Sequence, residues 1–220
     1  MKNLQKQNGF TLIEIAIVLV IIGLLLGGVL KGQEMITQAK IRNVANDFNG
    51  VSAAYYSYQD RYRAIPGDDP TAGGSTGRWT SSLSGNGDGQ INGSYAAVPA
   101  GTNPTSAEES NLFWQHLRLA GFVPGPTSGA GSGNDPQNAA GGVTGVQNGA
   151  LGIPGLVICS SNLPAKIASA IDSQFDDGNA TTGQVRGMLQ TGSNDAVTTT
   201  APTTNYVDNG TNLYVVCKNL

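Results

Sequence analysis

The hydrophobic pattern divides the chain into unlike parts. From Phe10 to Leu30 the sequence is almost wholly apolar, "FTLIEIAIVLVIIGLLLGGVL", with one carboxylate, Glu14, near its start. About 21 such residues make a helix of roughly 31 Å, enough to cross the ~30 Å hydrocarbon core of a bilayer. Lys2 and Lys6 precede the run, which favours a cytoplasmic N-terminus. Beyond it, Ile41, Val44, Phe48, Val51, Tyr55, Tyr58 and Tyr62 recur at alternating steps of three and four, a single helical stripe. Asn43, Asp47, Asn49, Gln59, Asp60 and Arg61 lie between them and suit a wet face. Pro66 disfavours helix at Ile65 and Gly67 punctuates the turn, so the helix should stop near Arg63. One helix from Phe10 to Arg63 would be roughly 80 Å long.

The rest alternates loops with short elements. Residues 64–150 look loop-dominated, apart from "SAEESNLFWQHLRLAGF", an amphipathic helix with Leu112, Phe113, Leu117 and Ala120 on its packing face. Ser106 and Glu109 have capping-box spacing there, and Gly121 sits at the helix end. Residues 124–150 are low-complexity and predict a long surface loop. "LGIPGLVIC" predicts a strand, "SSNLPAKIASAIDSQF" a helix starting near Asn162 and Pro164, and "GQVRGMLQ" and "NLYVVCK" two further strands; "TNYV" could begin another. The fold class expected is α+β: a long N-terminal helix packed on a small antiparallel sheet with Gly-rich loops.

Charge and composition narrow the function. The formal charge is −3 and no Lys/Arg cluster is large enough for nucleic acid. The tyrosines of "AAYYSYQDRYR" fall on the buried stripe, except Tyr56, and are expected to pack. His116 is the only histidine and has no Ser, Cys or second His near it in sequence. No acid pair stands with a nucleophile and base, and no zinc motif occurs, so an enzyme is not expected.

The apolar run could be a signal peptide, a plain anchor or something more specific. Signal peptides have shorter apolar cores and end in small residues, whereas here Leu30 and Lys31 interrupt the glycines. A plain anchor leaves Glu14 unexplained, since a carboxylate in an apolar span costs a few kcal/mol. "KQNGFTLIEIAIVLVIIG" resembles the leader of type IV prepilins and type II secretion pseudopilins. That resemblance implies a leader over residues 1–9, cleavage between Gly9 and Phe10 by a prepilin peptidase, and N-methylation of Phe10. It implies a filament-core span over 10–30, an amphipathic continuation over 31–63 and a periplasmic head over 64–220. Glu14 would then meet the Phe10 amine of a neighbouring subunit, because pairing offsets part of the cost of burying the acid.

The resemblance also implies an inner-membrane protein with a cytoplasmic N-terminus, like subunits as partners, and an assembly platform with its ATPase. A low-copy minor pilin at a filament tip, binding surfaces or ligands through the Gly-rich loops, is the alternative. Gly23, Gly27, Gly28 and Gly32 include two small-xxx-small pairs suited to close helix contacts. Pilins commonly have a Pro along this helix that helps it loosen; this chain has none until Pro66, which leaves Gly23–Gly28 as the place for loosening.

Two features of the head carry chemistry. "NGDGQI" looks like the middle of an EF-hand-type calcium loop, with Asn86, Asp88 and Gln90 offering oxygens on alternate residues and Gly89 allowing the turn. Ser84 and Tyr95 stand where the outer ligands of such a loop belong. The missing acids would come from Asp68 and Asp69, or from Glu108 and Glu109, as in calcium-stabilised pseudopilin heads. A second acidic group, Asp172, Asp176 and Asp177, marks a helix end and turn, with a cation as the less favoured reading. Cys159 and Cys217 fall in the first and last of the later strands, and outside the cytoplasm a disulfide is expected. It would close a loop of about 58 residues, worth about 4 kcal/mol on the loop-entropy estimate.

Overall fold

The computed structural model describes residues 11–97, 108–129 and 131–220. The expected processing residues Gly9 and Phe10 and the expected cap Ser106 lie outside these. The chain divides into two compact units, Met1–Ala39 and Lys40–Leu220.

In the first unit, helix α1 (Leu12–Tyr62) begins; it is the one helix among the described residues long and apolar enough to cross a membrane. Its most apolar window has mean hydropathy 2.8 and none of it is buried by protein. The Lys31–Glu34 ion pair, 3.0 Å, is exposed on it. A Cβ built on Gly23, Gly27, Gly28 or Gly32 would meet nothing within 4 Å.

The second unit is built on the α1 stripe. Ile41, Val44, Ala45, Phe48, Val51, Ala54 and Tyr58 are buried, Tyr55 and Tyr62 are partly buried, and Tyr56 is exposed. Asp47, expected on the wet face, is half-buried. The helix ends at Tyr62 because Arg63 turns left-handed (φ 57°) while its N–H still reaches the Gln59 carbonyl at 2.8 Å.

Next come α2 (Glu109–Leu119), β1 (Thr144–Ala150), β2 (Ile153–Pro164), α3 (Ala165–Phe175), β3 (Val185–Leu189) and β4 (Leu213–Asn219). The strands form one antiparallel sheet in the order β1-β2-β4-β3. Three expectations are corrected. The end of the supposed loop 124–150 is strand β1, paired from Thr144↔Ser160 to Ala150↔Ile153. "SSNLP" belongs to β2, so α3 starts after Pro164. "TNYV" is not a strand.

The β1–β2 hairpin turns on Leu151 and Gly152, both at positive φ (51° and 76°), the requirement of a type I′ turn. Leucine tolerates this because its side chain is fully buried and its N–H donates to the Thr198 carbonyl at 2.7 Å. Both sheet faces are covered. Ile158, Tyr214 and Val216 pack with Phe48, Phe113, Trp114 and the helices, whereas the alternate positions Val157, Cys159, Val215 and Cys217 pack with Tyr95 and Leu151. Cys159 and Cys217 are directly opposite across β2 and β4 and form a disulfide.

Candidate functional site

The start of α1 is organised by its own sequence. Thr11 lies just before the first helical residue, and Glu14 Oε2 accepts from the Thr11 N–H at 2.8 Å and from its hydroxyl at 2.7 Å. The Glu14 N–H in turn donates to Thr11 Oγ1 at 3.4 Å. This is a reciprocal capping box, which satisfies donors that a helix start otherwise leaves open. The Thr-x-x-Glu spacing in the sequence is the signal for this cap, a role for Glu14 beyond the intermolecular one expected. Both bonds fall on one oxygen, Oε2. The capped end then leads into the apolar first part of α1, which no described residue buries.

Residues 4–30 match the prokaryotic N-terminal methylation motif. The matched residues therefore include the Glu14 cap and the exposed apolar run of α1. A solved structure of the major type IV pilin PilA1 from Clostridium difficile overlaps 82% of this chain and 96% of that one. The identity is 14% and the TM-score 0.34, too low for the overlap to establish a common fold. A comparison with curated proteins finds no match. Downstream of the methylation motif, the remaining candidates are in the head.

There the acidic loop divides the expected ligands. Oxygens of Asp68, Asp88 and Glu109 lie within 4.8 Å of one another. Asp68 is buried, and its carboxylate accepts from the N–H groups of Gly87 (2.6 Å), Asp88 (3.1 Å) and Gly89 (2.8 Å). Buried Glu109 accepts from the Asn86 N–H (3.0 Å) and from the N–H and amide of Asn92 (2.9 and 3.1 Å). Asn86 and Asp88 bond each other, and the Gln90 side-chain oxygen accepts from Asn148 at 2.6 Å. In this loop the carboxylates that could hold a hard cation are thus Asp68, Asp88 and Glu109.

Asp69 and Glu108 stand apart from that group. Asp69 accepts from the Tyr58 hydroxyl (2.8 Å), from Thr71, and from the Arg78 guanidinium (2.5 Å). Burial alone would raise its pKa, but these donors and the arginine outweigh it and hold the carboxyl below the usual range. Glu108 is exposed at the α2 N-terminus and, among the described residues, accepts only from the Ser94 N–H at 3.2 Å. Glu109, for its part, turns toward the 86–92 loop instead of capping its own helix.

His116 closes the underside of this region. Its Nδ1 accepts from the Gly67 N–H at 2.9 Å, which leaves Nε2 as donor to the Leu83 carbonyl at 2.9 Å. Desolvation lowers its pKa to about 4. Its partners are backbone groups, so it holds loops together. Asp172 accepts from Tyr206 (2.7 Å) and Gly178 (2.9 Å), Asp176 from Gln184 and Val185, and Asp177 from Asn179 and Thr182. That second acidic group organises the turn after α3.

Proposed function

We propose that the chain is a prepilin-like structural subunit, cut between Gly9 and Phe10 by a prepilin peptidase, methylated at Phe10 and assembled through its N-terminal helix. The filament is a type IV pilus or a type II secretion pseudopilus, built with an inner-membrane platform and its ATPase. Before assembly the head lies in the periplasm and residues 10–30 in the inner membrane. What carries this reading is the coincidence of the methylation motif at 4–30 with the apolar first part of α1, none of which is buried among the described residues. Such a surface requires lipid or other copies of itself. In this reading Glu14 has two tasks, capping its own helix and meeting the amine of a neighbour.

The test is the intact mass and N-terminal sequence of protein recovered from its native membranes. A chain beginning at Phe10 with one added methyl supports the reading. An uncut chain, or one cut beyond Gly28, overturns it.

A further inference from the structure

The head carries a groove of about 280 Å³, lined from α1 by Asp47, Gly50 and Val51 and from the segment after α2 by Phe122, Val123 and Pro124. It is below the ~300 Å³ at which small-ligand clefts begin, and of a size to take a few side chains of another surface. Its lining is held in place. Gly121 turns left-handed (φ 79°) at the end of α2, and the Phe122 N–H donates to the Leu117 carbonyl at 2.9 Å. Gly50 leaves the groove open: a Cβ there would meet nothing within 4 Å, although a glycine inside a helix costs stability. Asp47 is half-buried and makes no hydrogen bond or ion pair to a described residue, and desolvation holds its carboxyl above the usual range. A carboxylate so placed favours an incoming cation.

We propose that this groove seats the Lys31–Ile36 stretch of a second copy of the chain, running parallel, with Lys31 against Asp47 and Met35 against Val51. The contact rests on the filament reading, in which copies share one orientation.

The stretch needs cover that its own chain does not supply. Met35 and Ile36 are 65% and 59% exposed, and they follow a run, Phe10–Leu30, that already suffices for the ~30 Å hydrocarbon core. Lys31 is exposed too, with only the exposed Glu34 as its ion-pair partner. Residues four apart on a helix lie on one face, so Lys31 and Met35 present a cation and an apolar side chain together. Asp47 and Val51 present an acid and an apolar side chain at the same spacing, in the groove. The other described cations of α1 lack this pattern. Four residues on, Lys40 is followed by Val44, which is buried in its own core, and Arg42 by the polar Asn46; Arg61 is too near the helix end.

The matched order also fixes direction. With Lys31 against Asp47, parallel helices bring Met35 to Val51, whereas antiparallel ones would bring it to the exposed, polar Asn43. The two surfaces are different patches of the chain, so the contact is heterologous. Such a contact leaves a free groove on one copy and a free stretch on the next, and repeats without closing into a two-fold dimer.

Cysteine pairs test the register in the full-length chain, whose two native cysteines are already bonded to each other. Met35→Cys with Gly50→Cys in one chain, mildly oxidised in native membranes and in sheared filaments, should give a ladder of covalent multimers. Neither single variant should, and Met35→Cys with Asn43→Cys should not. Asp47→Lys should lower filament yield about tenfold or more through like-charge repulsion. Adding Lys31→Asp should restore the yield to within about threefold of the parent. Intact mass is read on the same samples. An uncut chain sinks the filament reading and this contact with it. Processed chains in filaments that lack the 35–50 ladder overturn the contact alone, as do a 35–43 ladder, a crosslink only to another protein, or no rescue by the charge exchange.

Discussion

Glu14 caps its own helix through Thr11: one carboxylate oxygen, Oε2, takes both the Thr11 N–H and the Thr11 hydroxyl. The two roles of this residue can therefore be separated by substitution. Glu14→Gln keeps an acceptor suited to a capping box but removes the charge. Thr11→Ala keeps the charge and removes the cap, at a cost of about 1 kcal/mol. Glu14→Gln should accumulate processed protein in the membrane and yield few filaments, whereas Thr11→Ala should assemble nearly as well as the parent. Sheared filaments quantified beside intact mass check this. Equal loss in both variants would place the importance of Glu14 in capping alone.

Three carboxylates converge in the head, two of them buried, and calcium is the cation that the "NGDGQ" spacing implies. Calcium should raise the melting temperature of the protein relative to chelator. Glu109→Gln should remove that difference, while Glu108→Gln should leave it, because Glu108 stands outside the group. Asp69→Asn should lower the melting temperature with or without calcium, since it weakens the bonds to Tyr58 and Arg78. Identical melting of the parent in calcium and in chelator would mean that the hydrogen-bond donors around Asp68 and Glu109, the Asn92 amide included, satisfy both carboxylates without an ion.

Much of this was legible in the chain. The stripe from Ile41 to Tyr62 announced its helix because six consecutive steps kept the same period, and Pro66 and Gly67 marked its end. Strand β1 was not legible. "TGVQNGA" has no run of β-branched residues, and what makes it a strand is pairing with β2 under the side chains of the core. The choice between Glu108 and Glu109 was equally invisible. At 3.6 residues per turn, neighbouring positions at a helix start point about 100° apart, and only packing decides which faces the loop.

Two buried groups set opposing pH dependences. His116 is neutral in the fold, with its pKa lowered to about 4, so its contribution is complete above about 6.5 and is lost as pH falls from there toward 4. The loss is on the order of 3 kcal/mol. Asp135 is raised to about 8, so its contribution is complete below the ordinary carboxylate range and is lost as pH rises toward 8. Between about 4 and 6.5 the two offset each other, and above 6.5 the parent should lose stability as pH rises. Asp135→Asn removes one arm: its urea midpoint should fall on acidification from 6.5 to 4 and stay level from 6.5 to 8. Parallel pH profiles for parent and variant would show that Asp135 is ionised in the fold.

The Cys159–Cys217 bond joins residues already opposite each other in the β2–β4 ladder, with hydrogen-bonded pairs on either side. Its loss should therefore leave the native sheet intact and act on the unfolded chain. With a sequence separation of 58, the loop-entropy estimate is about 4 kcal/mol. The double variant Cys159→Ala, Cys217→Ala should keep its far-ultraviolet circular dichroism while its urea midpoint falls by that equivalent. Both cysteines are fully buried, so a thiol reductant added to the native protein should act no faster than the head opens. A fall of less than about 1 kcal/mol would mean that β2 and β4 are already held near each other in the denatured state. Rapid reduction of the native protein would mean that the β2–β4 seam opens locally, well below the free energy of global unfolding.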